Sequence, residues 1–79
     1  MTVKTCKFYV LKDYEDKLYN FLDEQDMYDV SKFEESHDII IIDTLKELPD
    51  AEDIDCEDIF ALDDSTFEVF IEHKECYFR

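Results

Sequence analysis

No glycine occurs anywhere in the 79 residues, and that absence constrains this chain more than any residue it contains. Turns have to be built from Asp, Asn, Ser and the single Pro49, which make local side-chain hydrogen bonds or preset the backbone. Whole classes of chemistry go as well. A phosphate-binding P-loop, a dinucleotide fingerprint and a nucleophile elbow all need glycine where the backbone bends sharply or approaches a ligand. The chain is therefore read as non-enzymatic, with no catalytic residue.

Charge is the second constraint. Twenty-three acids against eight bases give a net charge of −15, where a magnitude of about 2 to 8 keeps a small domain soluble. Folding gains nothing from the excess, because like charges repel and destabilise a compact state. The charge is also uneven: residues 1–22 carry a net +1 and residues 23–79 a net −16. The densest stretch is "DAEDIDCEDIF", residues 50–60, with six carboxylates (Asp50, Glu52, Asp53, Asp55, Glu57 and Asp58) and no cation. Asp63 and Asp64 extend it, and "DEQDMYD" adds Asp23, Glu24 and Asp26. Direct binding to nucleic-acid phosphates needs Lys and Arg to displace counterions, so the expected partner is a basic protein and not a nucleic acid.

Apolar residues make up 46% and aromatics 15%, which a disordered acidic tail would lack. The expectation is one folded domain, residues 1–79, of modest stability, since so short a chain buries only about 60% of its unfolded surface. Three cysteines without a CxxC pair suit a reducing cytoplasm. The N-terminal residues lack the apolar core of a signal peptide, and "IIII" at 39–42 is too short to cross a bilayer. A cytoplasmic protein without membrane attachment is expected.

The element reading is strand, helix, strand, helical segment, strand. Residues 2–11 are rich in β-branched and aromatic residues and predict a strand. In residues 13–26, Tyr14, Leu18, Phe21, Leu22 and Gln25 form one helical stripe, with Asp13 as N-cap. Residues 27–33 read as a loop or a short edge strand. "HDIIIID" at 37–43 predicts a strand apolar on both faces, and hence central. Pro49 interrupts residues 44–62, and Asp50 can cap a short acidic helix over 51–62. Phe67, Val69 and Ile71 alternate with Glu68, Phe70 and Glu72, predicting a C-terminal strand over 65–79. The fold class expected is α+β: a sheet of three to four strands, antiparallel or mixed, packed by one long helix and the acidic helical segment.

Metal and acid–base chemistry find little support. With 23 acids, adjacent carboxylates arise by chance. His73-x-x-Cys76 with Cys6 or Cys56 has the right residue types for zinc but matches no zinc spacing well, and His37 reads as a surface residue. Asp53, Asp55 and Glu57 imitate the start of a calcium loop, but Asp58 stands where that loop needs glycine. No metal and no cofactor is expected.

What remains is the array of acids. A rigid set of carboxylates offers the acceptor geometry that Arg pairs with, and can occupy a cleft built for phosphates. In size, charge and acid-dense runs such as "DAEDIDCEDIF" and "DEQDMYD", the chain resembles small, acidic, phage-encoded inhibitors that mimic DNA, such as anti-restriction and anti-CRISPR proteins and uracil-DNA glycosylase inhibitors. The resemblance implies a protein that blocks the basic cleft of a host nuclease or restriction enzyme, with a CRISPR effector the first choice. The alternative is an acidic interaction module or adaptor for a basic protein, using Tyr19, Tyr28 or Tyr77 as anchors. Monomer and homodimer are both compatible with the sequence.

Overall fold

The computed structural model describes residues 6–55 and 57–78. Strands β1 (Cys6–Leu11), β2 (His37–Ile42) and β3 (Ile59–Ala61) form one sheet in the order β2-β1-β3. Both pairings are parallel, with Phe8 beside Ile39 and Ile59 and Val10 beside Ile41 and Ala61. Four helices are described: α1 (Glu15–Asp23), α2 (Met27–Ser36), α3 (Asp64–Glu72) and α4 (Lys74–Tyr77).

The all-parallel sheet overturns the expected antiparallel or mixed one. The missing glycine supplies a physical reason. Tight antiparallel hairpins need a positive φ at one or both central residues, which favours Gly and Asn. This chain has no Gly, its one Asn is Asn20 inside α1, and no described residue has a positive φ. Parallel strands are joined instead by long crossovers, which need no such turn. Helices α1 and α2 carry the chain from β1 to β2. Residues 43–58, with 3₁₀ turns at Leu45–Glu47 and Ala51–Asp53, carry it from β2 past β1 to β3.

Crossovers between parallel strands are nearly always right-handed. A right-handed step from β1 to β2, followed by one from β2 back to β3, puts the two connections on opposite faces of the sheet. Burial agrees. Phe8 and Val10 join Leu18, Phe21, Leu22, Phe33, Phe67 and Phe70 from the helices in one core cluster. Ile39, Ile41, Ile59 and Ala61 lie in register on that side. On the other face Tyr9 and Ile42 are also buried, and the Tyr9 ring stacks on Phe60 at 5.5 Å. Half-buried Leu48, Pro49 and Ile54 of the connection are the apolar residues that can cover them.

Aromatic rings dominate the core. Phe70 is the hub, its ring centroid 4.8 Å from Phe8, 5.3 Å from Phe21 and 5.7 Å from Tyr77. Such pairs contribute about 0.5–1.5 kcal/mol each beyond their buried area, a useful supplement where the core is small.

Several local expectations are corrected. The isoleucine strand β2 is an edge of the sheet and β1 is central; Ile39, Ile40 and Ile41 of β2 are half-buried and Ile42 is buried. Residues 27–33 belong to α2, which starts because the Asp26 carboxylate accepts from the Tyr28 N–H at 2.8 Å. The acidic helix over 51–62 reduces to the turn Ala51–Asp53, followed by β3. Residues 65–78 do not form a strand. Asp63 and Thr66 cap α3 reciprocally, Asp63 accepting from the Thr66 N–H at 2.8 Å and Thr66 Oγ1 from the Asp63 N–H at 3.0 Å. Phe67, Phe70 and Ile71 then fall on one helical face, so Phe70 points inward and Val69 outward. Cys76 accordingly lies exposed in α4.

The first helix is present as expected, with Leu18, Phe21 and Leu22 buried, although Asp13 sits in a 3₁₀ turn and caps nothing. Residues 2–5 of the expected first strand lie outside the described residues. His37 is buried, not superficial. Its ring stacks on Phe33 at 4.3 Å, and Nδ1 lies 2.8 Å from Ser36 Oγ and 3.2 Å from the Phe33 carbonyl oxygen.

Candidate partner-binding site

The acidic connection is an anchored strap. At its start the Glu47 carboxylate accepts from the Thr44 N–H at 3.0 Å and from the Asp43 N–H. In the middle the Asp53 N–H donates to the Asp50 carbonyl at 2.8 Å, closing a turn. At its end Asp58 makes three hydrogen bonds to backbone groups, two to Asp55 and one to Lys7. One carboxylate oxygen accepts from the Asp55 N–H at 3.0 Å, the other from the Lys7 N–H of β1 at 3.2 Å, and the Asp58 N–H donates to the Asp55 carbonyl at 3.1 Å.

Between these anchors Asp50, Glu52, Asp53, Asp55 and Glu57 stand exposed. Among the described residues the ion pairs are Lys12–Asp43 at 3.8 Å and Lys17–Asp64 at 3.3 Å, so none of these five carboxylates is paired with a base. Glu57 takes a weak contact from the Cys6 thiol, 3.6 Å away.

The other expected contact residues lie elsewhere. Asp63 and Asp64 open α3 just after β3. Hydrogen bonds from the Thr66 N–H and hydroxyl, only partly opposed by desolvation, hold the Asp63 carboxyl below its ordinary pKa. Asp64 faces Lys17 across an exposed pair, which adds little stability. Asp23, Glu24 and Asp26 sit at the α1–α2 junction. The eleven residues thus occupy three places, and Asp26, Asp58 and Asp63 hold backbone as well as charge.

The helices add a signal that sequence reasoning missed. α1, α2 and α3 each carry acids in the last turn (Asp23, then Glu34 and Glu35, then Glu72) and no base there. Negative charge at a helix C-terminus opposes the macrodipole, where a cation would contribute about 0.3–1 kcal/mol. Helix after helix accepts this cost, so the acidity is not there to stabilise helices. Correct helix boundaries would have revealed it.

A second feature lies between α1 and α2. A groove of about 460 Å³ is floored by Leu22 and Val30 and rimmed by Tyr19, Met27, Asp23 and Glu34. Met27 is 85% exposed, Tyr28 64% and Tyr19 47%, all unusual for large apolar side chains. Of the three tyrosines considered as anchors, Tyr77 is instead half-buried against Phe70.

Among the described residues no group of three or more His, Cys, Asp or Glu side chains could hold a metal ion, and no helix is long and apolar enough to cross a membrane. The Cys56 considered for zinc lies outside the described residues. No protein-family model, curated protein or solved structure matches the chain.

Proposed function

We propose that the protein is a non-enzymatic inhibitor that presents the 50–57 strap to the cationic cleft of a nucleic-acid-binding protein, taking the place of phosphates. The observation that carries this reading is the strap itself: five exposed carboxylates, unpaired with any described base, on a connection turned locally at Glu47 and fastened to β1 through Asp58. Anchoring matters because a partner then orders no loop on binding, which would otherwise cost about 1–2 kcal/mol per residue. Arg side chains that grip phosphates can grip these carboxylates in the same bidentate manner.

A nuclease of the CRISPR or restriction type is the first choice of target, since it binds nucleic acid in deep basic channels. The test is capture from bacterial lysate on the immobilised protein, followed by elution with duplex or single-stranded DNA at constant salt. The reading expects a nucleic-acid-binding protein released by DNA. Captured proteins that stay bound under saturating DNA would instead support an adaptor for a basic protein.

A further inference from the structure

We propose that the α1–α2 groove is a separate docking site for a cationic amphipathic helix of a partner protein. The proposal does not depend on the strap acting as a phosphate mimic. Met27, Val30 and Glu34 follow one another at helical spacing along α2, and Tyr19, Leu22 and Asp23 do the same along α1. The two stripes face each other across an apolar floor. Helix-in-groove recognition uses such a surface, with apolar anchors at i, i+3, i+4 and i+7 seated between two helices. The volume, about 460 Å³, lies within the ~300–1,000 Å³ of ordinary binding clefts. Met27 can reshape to fit an anchor, because its side chain is unbranched and polarizable.

Charge selects the occupant. The charged residues that line the groove are both acids, Asp23 and Glu34, and the base of α2, Lys32, lies over the Tyr28 ring at 4.7 Å. An apolar floor with an anionic rim complements a segment that is apolar on one face and Lys- or Arg-rich on its flanks. A second copy of this chain is the poorer occupant. A two-fold interface would bring each carboxylate rim against its own duplicate, and like charges across an interface are strongly unfavourable.

The experiment uses a labelled 18-residue peptide of Leu and Lys with a 3.6-residue apolar period, and a scrambled peptide of the same composition, titrated with the full chain. The amphipathic peptide should bind at least tenfold more tightly than the scrambled one. Met27→Glu, at a position too exposed to disturb the core, should weaken it at least tenfold with an unchanged circular dichroism spectrum. Asp23→Asn with Glu34→Gln should flatten its salt dependence. Amide substitutions at Glu52, Asp53, Asp55 and Glu57 should leave the preference between the peptides intact, so that failure of the strap reading and failure of this one are told apart. Equal binding of the two peptides would overturn the proposal, because general charge attraction would then explain it. So would an unchanged affinity in the Met27→Glu variant, or a dimer of the chain that the same substitution dissociates.

Discussion

The Lys7 N–H donates to the Asp58 carboxylate at 3.2 Å, and through that bond the last anchor of the acidic strap is fastened to the central strand of the sheet. The same carboxylate accepts from the Asp55 N–H at 3.0 Å. Within a run that reads in sequence as uniform negative charge, one acid holds the frame while its neighbours face outward.

Replacement of that acid should therefore differ from replacement of its neighbours. Asp58→Ala removes the acceptor for two backbone donors and should cost about 1–3 kcal/mol in urea denaturation. Asp53→Asn and Glu52→Gln should be neutral or slightly stabilising, because they relieve repulsion and break no described bond. Equal effects at the three positions would show that Asp58 is not the anchor.

A similar division holds at α3. Asp63→Ala should lower the denaturation midpoint, whereas Asp64→Ala, which loses exposed contacts with Lys17 and the Tyr14 hydroxyl, should change it less. The Asp63 pKa is depressed in the folded state. Its contribution is thus fully present above the unfolded value of about 3.9 and is lost as pH falls through the lower folded value. The gap between wild type and Asp63→Ala should be constant at neutral pH and should close in that acid window.

Phe70 tests the core. Its ring meets Phe8, Phe21 and Tyr77 within 6 Å, and it is almost fully buried. Phe70→Ala should cost about 3–5 kcal/mol, a large share of the stability of so small a domain. Phe70→Leu should keep the fold at reduced stability. A mild effect of the alanine variant would return Phe70 to the outward-facing side that strand alternation assigns it.

His37 sets a pH dependence of its own. Burial lowers its pKa below 6.5, against a smaller raising contribution from the Phe33 carbonyl. The neutral ring is thus favoured by the fold, and the unfolded chain binds the extra proton first. His37 should cost stability as pH falls from its unfolded pKa of about 6.5 towards the lower folded value, and none above that window. In the His37→Phe variant that loss should vanish; an imidazole titrating at or above 6.5 by NMR would contradict the burial.

Much of the first half of the chain was legible in advance. The stripe through Leu18, Phe21 and Leu22 is a helix, and the β-branched runs around Phe8 and Ile40 are strands. The second half misleads for one reason. Asp63, Thr66, Phe67, Phe70 and Ile71 specify a capped helix, but Phe67, Val69 and Ile71 also satisfy a period of two, and the alternation masks the cap. Strand direction was not legible: the alternation of Phe67, Val69 and Ile71 suggests a one-sided antiparallel strand, and the lack of Gly, which disfavours tight hairpins, does not by itself specify parallel pairing. The site was legible in composition but not in roles. Carboxylates look alike in a sequence, and the backbone donors beside Asp26, Glu47, Asp58 and Asp63 separate acids that hold the fold from those that face a partner.

The most direct test is competition on the captured target, read as the anisotropy of a labelled DNA bound to it. Added wild-type protein should displace the DNA, less effectively as salt rises, and the variant Glu52→Gln, Asp53→Asn, Asp55→Asn, Glu57→Gln should need at least tenfold more protein to do so. A target that holds protein and DNA together, or a variant that displaces DNA as well as the wild type, would contradict the account.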